Sequence, residues 1–166
     1  MSTSNTNKLE DGMYAIVNHQ NDSLVFRHPI EDMSGLPKPV YVLPSSTQPI
    51  GLWQLQQKSE GKYVLKALNA PTGLWARGDS NKKVYAMLQG WEHKAVEWHI
   101  TEVMTVQGRK GYIIETEDNG KQVGWTTAGE RGPNGVQIGV RPLPTTFSIP
   151  PRYFPDDVFE IVRVEE

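Results

Sequence analysis

The side chains of this chain best suited to moving a proton are four histidines, His19, His28, His93 and His99, and two carboxylate pairs, Glu31-Asp32 and Asp156-Asp157. General acid–base work needs such groups to converge on one reacting atom, and neighbours within a turn do not converge. The histidines are not spaced like a metal pair. His99 lies between Trp98 and Ile100 in a short strand pattern, so it projects to the opposite side from both. With no cysteine there is no thiolate nucleophile, no zinc thiolate site and no disulfide framework. The stretch AGERGPNG, Ala128 to Gly135, is rich in glycine but lacks the lysine and the strand-to-helix context of a phosphate cradle. No nucleophile, base and orienting group fall together. The expectation is a binding protein without catalysis, cofactor or metal.

Three stretches read as long loops or turns, and long loops are commonly functional. FRHPIEDMSGLPKPV, Phe26 to Val40, is much longer than a hairpin turn needs, and Pro29, Pro37 and Pro39 restrict its backbone, as Pro44 does just beyond. RPLPTTFSIPPRYFPDD, Arg141 to Asp157, is longer still and stiffened by prolines around Arg152. TTAGERGPNG places Arg131 on a glycine-rich turn.

Positioning falls to short strands. Apolar and polar residues alternate over short runs broken by Gly, Pro, Asn, Asp and Ser, no segment of helical length keeps a 3.6-residue period, and twelve prolines argue against long helices. The class is all-β. Tyr14, Tyr63 and Tyr112 are equally spaced in MYAIVN, KYVLKA and GYIIET. Each is followed by a second strand candidate (SLVFR, TGLWAR, QVGWTT) and a third (VYVL, VYAML, VQIGV). Each unit then closes on an aromatic, one residue and an aliphatic: Trp53-Gln54-Leu55, Trp98-His99-Ile100 and Phe159-Glu160-Ile161. Units of about 50 residues with four strands each, three in number, predict a β-trefoil. Six strands would close a barrel, which removes exposed sheet edges, and three hairpins would cap it. The expected organisation is one domain over 1–166, with repeats at roughly 10–57, 58–103 and 104–166. The tyrosines and closing aromatics are assigned to the core.

With 17 Lys and Arg against 19 Asp and Glu, scattered along the chain, there is no basic footprint for nucleic acid. No apolar run is long enough for a membrane span, and MSTSNTNKLE lacks the apolar core of a secretory signal. These features predict a cytosolic monomer. Sugar-binding trefoils of the ricin type carry Gln-x-Trp near the end of each repeat. The triplets here are Gly51-Leu52-Trp53, Val96-Glu97-Trp98 and Asp157-Val158-Phe159, without Gln. That weighs against a carbohydrate-binding lectin and leaves it as an alternative.

LEDGMYAI, YVLKALNAPTG, VYAML with AVEWHI, GYIIET with VGW, and FPDDVFEIVRVEE, in this order and spacing, resemble the mushroom serine protease inhibitors of β-trefoil fold. The likeness spans nearly the whole chain. Related mushroom trefoils that inhibit cysteine proteases share an opening like EDGMY and a late proline-rich stretch. The resemblance implies a non-enzyme that inserts a rigid surface loop into the active site of a serine protease, most simply a trypsin-like one. It points first to the connection after the second strand, with Arg27, His28, Asp32, Met33 and Ser34 as its contact residues. Arg27 would pair with the carboxylate in a trypsin-like pocket. The bland reading makes Arg27 the counterpart of Arg77, a strand-end arginine with its head in water. Lys38 is disfavoured by Pro39 directly after it. The resemblance places a basic residue where Met33 stands, and Met33-Ser34 suits a chymotrypsin-like or subtilisin-like enzyme instead. Arg131 and Arg152 are second-choice contacts. Phe147, Ile149 and Tyr153 are expected to cover the end of the barrel.

Overall fold

The computed structural model of the chain describes residues 9–164 except 21, 28–33, 44–50, 78–80, 130 and 133–134. Its strands are β1 (Gly12–Asn18), β2 (Ser23–Arg27), β3 (Lys38–Val42), β4 (Trp53–Ser59), β5 (Lys62–Ala67), β6 (Ala70–Trp75), β7 (Lys83–Ala86), β8 (Trp98–Met104), β9 (Lys110–Asp118), β10 (Lys121–Thr126), β11 (Arg131–Gly132), β12 (Gly135–Gln137), β13 (Gly139–Arg141) and β14 (Phe159–Arg163). Two single-turn 3₁₀ helices, Glu92–Lys94 and Pro155–Asp157, are the helical elements among the described residues. None is long and apolar enough to cross a membrane.

The strands that begin and end each sequence unit form a ring. β1 pairs with β4, β4 with β5, β5 with β8, β8 with β9, β9 with β14, and β14 returns to β1. Every contact in the ring is antiparallel, and closure leaves none of these six strands as an open edge. Outside it lie the pairs β2–β3, β6–β7 and β10–β13. They touch one another through Lys38↔Ala86 and Gly139↔Lys83. VQIGV, read as one strand, is two. Ile138 breaks it, donating its N–H to the Val40 carbonyl (2.8 Å) and accepting from the Val84 N–H (3.0 Å), which ties three pairs together.

Alternation along the ring strands decides what enters the core. Ile16, Leu55, Leu65 and Ile114 point inward, as do the closing aromatics Trp53, Trp98 and Phe159, all three without exposed surface. His99 is exposed on the far face of β8, as alternation requires. Tyr14 and Tyr63 are buried, whereas Tyr112 is half-buried and packs on the cluster from outside.

The registers Val17↔Leu24, Lys66↔Pro71 and Gly124↔Glu115 put Val25, Thr72 and Trp125 at corresponding points. Here the three units diverge. Trp53 Nε1 donates to the Val25 carbonyl (2.7 Å), and Trp98 Nε1 donates to Thr72 Oγ1 (2.8 Å). The third position holds a whole indole. Trp125 sits with ring centroids 5.7, 5.5 and 5.8 Å from Trp53, Trp98 and Phe159, nearly perpendicular to the last two. Edge-to-face pairs of this kind contribute about 0.5–1.5 kcal/mol each beyond their buried area.

Candidate functional site

Two of the long connections, those after β2 and after β13, handle their side chains in opposite ways. After β2, the described ends turn inward. Arg27 is only 7% exposed, and its Nη1 donates to the Ala67 carbonyl (3.3 Å) at the turn between β5 and β6. This corrects the expectation of a displayed arginine. β2 buries Val25, Phe26 and Arg27 in succession, and Arg27 pairs with Val40, so its head reaches across to a neighbouring turn. The registers also make Leu74, not Arg77, the counterpart of Arg27; Arg77 follows β6 and is exposed. Lys38 is buried as well, with Nζ donating to Ser34 Oγ (3.3 Å). Ser34 is exposed, and its Oγ also accepts the Leu36 N–H (3.1 Å). His28, Asp32 and Met33 lie outside the described residues.

Arg131 is exposed on β11, where it pairs with Val136. It borders a depression of about 260 Å³ whose polar walls include Asn18, Gln20, Ser23, Thr127 and Asp156.

The connection after β13 is fastened at its base. Arg141, the last residue of β13, directs Nη2 at both oxygens of Asp157, 3.0 and 3.1 Å away, so the two ends of the segment are clasped. The Asp157 side chain has no exposed surface. Burial pushes its carboxyl above the usual carboxylate range, more than Thr126 and Arg141 draw it down. Beside the clasp, Asn18 Nδ2 and the His19 N–H bind carbonyls of the departing end, His19 to Val158 at 3.0 Å. Leu143 lies over Gly124, where a Cβ would stand 2.6 Å from its Cδ1, so a larger residue there would push the leucine side chain aside.

Further out, Tyr153 donates its N–H to the Met104 carbonyl (2.9 Å) and accepts from the Val106 N–H (2.9 Å). Thr146 and Arg152 face each other through the Thr146 N–H on the Arg152 carbonyl (3.0 Å) and the Arg152 N–H on Thr146 Oγ1 (3.0 Å). Between them the chain turns through Phe147, Ser148, Ile149 and Pro150. Phe147 and Ile149 are 104% and 97% exposed, so they do not cover the barrel's end as expected; Tyr153 alone of the three is partly buried. Arg152 is exposed at the shoulder of this turn.

Elsewhere the chemistry is structural. His19 is buried, and burial followed by the Arg109 charge lowers its pKa against a smaller pull from Glu160. Among the described residues no three His, Asp or Glu gather closely enough to hold a metal.

The peptidase inhibitor I66 family model matches residues 7–163, and the chain belongs to that family. A protease is therefore its partner class, and it is not itself an enzyme. Among solved structures it is similar to a proteinase inhibitor from Coprinopsis cinerea, 28% identical with a TM-score of 0.73 over 95% of this chain and 100% of that one. It also shares its fold with a ricin B-like lectin of Macrolepiota procera solved with lactose, 12% identical with a TM-score of 0.62 over 96% of this chain and 100% of that one. The designed three-fold symmetric protein ThreeFoil is similar at 14% identity and a TM-score of 0.60, over 93% of this chain and 100% of its own. The architecture is thus β-trefoil-like. No curated protein matches the chain.

Proposed function

We propose that the protein is a reversible inhibitor of serine proteases that docks a preorganised surface loop in the enzyme's active site. The observation that carries this reading is the family match over 7–163. The frame supplies the physical means: a loop held by a closed barrel loses little conformational freedom on docking, so an interface of ordinary size can bind tightly. The organisation proposed with it is one domain of three four-strand repeats, roughly 10–57, 58–103 and 104–166, acting as a cytosolic monomer.

The connection from Phe26 to Lys38 is the first site to test. A trypsin-type contact through Arg27 requires its guanidinium to leave the Ala67 carbonyl, whereas Met33-Ser34 would suit a wide apolar pocket. The test is titration of the protein against trypsin, chymotrypsin, subtilisin and papain, with Arg27→Ala and Met33→Ala beside it. Near-stoichiometric inhibition of a serine protease is the expected result. Inhibition of papain alone would move the protein to the cysteine-protease class. Inhibition of none, with glycan binding, would make it a lectin.

A further inference from the structure

We infer that the turn from Thr145 to Tyr153 is a protease-binding loop in its own right, with Phe147 entering the apolar primary pocket of a chymotrypsin-like serine protease. The inference rests on the inhibitor reading above and assigns it a site and a specificity.

Exposure is the first ground. Phe147 and Ile149 are the most exposed large apolar side chains among the described residues. Lone aliphatics on a surface are ordinary, but a phenylalanine held wholly in water on a closed turn has only a partner to bury it. Aromatic anchors seated in pockets dominate the energetics of protein interfaces.

Order is the second. Ser148 Oγ donates to the Pro150 carbonyl (3.1 Å), so its contact with Thr146 Oγ1 (2.6 Å) must use the threonine proton. Thr146 Oγ1 in turn accepts the Arg152 N–H. The result is a directed chain from Arg152 N–H through Thr146 and Ser148 to the Pro150 carbonyl, in which each hydroxyl accepts once and donates once. Such chains reinforce their members. The two residues that flank Phe147 are thereby tied to each other, and the side chain between them is left outward. Pro142, Pro144, Pro150 and Pro151 limit the backbone further, and the Arg141–Asp157 clasp shuts the base. A loop already fixed in shape avoids most of the ordering cost of binding.

Choice of residue is the third. Ile149 precedes Pro150, and a proline directly after the contact residue disfavours recognition, as it does for Lys38 before Pro39. Arg152 spends its N–H and carbonyl on Thr146 and closes the turn, so it does not lie within it. Phe147 is followed by the small Ser148. Its ring fits a hydrophobic slot and would leave the carboxylate of a trypsin-like pocket unpaired.

The experiment measures inhibition of chymotrypsin and trypsin by the full chain, by Phe147→Ala and by Phe147→Arg. Because Phe147 touches nothing it would leave a hole in, both variants should keep the wild-type unfolding midpoint in urea. The expected result is chymotrypsin inhibition weakened about a hundredfold in Phe147→Ala, with trypsin inhibition gained in Phe147→Arg. Chymotrypsin inhibited equally by the wild type and Phe147→Ala would overturn this inference and leave the inhibitor reading standing. A wild type that inhibits trypsin but not chymotrypsin would also overturn it. A wild type that inhibits no protease in the panel would remove both.

Discussion

The connections after β2 and after β13 are both long and rich in proline, yet one buries its described charged ends and the other displays its apolar turn to solvent. Arg27 and Lys38 are buried at the two ends of the first, where their heads bond to Ala67 and Ser34. The second pairs charges at its base, in Arg141 and Asp157, and carries Phe147 and Ile149 outward, with Arg152 exposed beside them, on a turn held by hydroxyls. Length and proline content mark a loop as presented. They do not say which side chain it presents, because that depends on where each anchor falls in the strand register.

The largest effect strips away what both connections share. Trp125 fills the centre of the aromatic cluster, against Trp53, Trp98 and Phe159. Trp125→Ala should cost about 3–5 kcal/mol, as large-to-small changes at fully packed aromatic sites do. Urea unfolding would measure it, and inhibition through either connection should fail at the same denaturant concentration. Loss through one connection alone would mean that the loops do not depend on a common frame.

The next effect opens one connection only. Asp157→Ala removes the buried half of the clasp, and Arg141 then has nothing to hold the two ends together. Breaking a buried pair costs about 3–5 kcal/mol, but the Arg141 side chain is 37% exposed and can return to water, so roughly 2 kcal/mol is expected. Chymotrypsin inhibition should weaken with it. Unchanged inhibition despite lost stability would show that the turn is ordered by Thr146 and Ser148 alone.

Much of the barrel was legible in the chain, since period-two alternation and the recurring tyrosines and closing aromatics are local patterns. Six strands read from MYAIVN, KYVLKA, GYIIET and the three closers are the six that pair in the ring. The orientation of Arg27 was not legible. It depends on the Ala67 carbonyl forty residues away, which no local pattern reports. The display of Phe147 was hidden for a related reason. A Phe and an Ile two apart read as a strand face seeking cover, and only the Thr146–Arg152 closure, six residues wide, turns that face outward. Flanking threonine and serine were the available signal, because hydroxyls beside an apolar residue among prolines can bond to each other across it.

A smaller effect tests the inward arginine. Arg27→Ala removes a buried hydrogen bond from a charged donor, worth about 1.5–3 kcal/mol, and the lower half of that range fits a 3.3 Å contact. Thermal or urea unfolding should register this loss while chymotrypsin inhibition stays at the wild-type level. The opposite pattern, unchanged stability with trypsin inhibition abolished, would mean that Arg27 faces the enzyme and that the contrast between the two connections is false.

The smallest effect is one of pH, and it reaches the second connection through its departing end. The His19 N–H holds the Val158 carbonyl, and its ring is packed beside Val158 and Gly111. Burial, then Arg109, lowers its pKa below the ordinary value of 6.5, so the folded protein prefers the neutral ring. For a base with a depressed folded pKa, stability is complete above the unfolded value and declines as pH falls below it, since the unfolded chain then takes up the proton first. Asp157 works in the opposite sense. Its raised pKa means that ionisation costs the folded state, and that cost is relieved as acid approaches the raised value. Between pH 7.5 and 5.5, a window chosen to bracket the ordinary histidine value, the difference between the wild type and His19→Gln isolates the histidine. The wild type should lose stability relative to the variant as pH falls. An equal slope in both proteins would assign the acid sensitivity to groups other than the His19 ring.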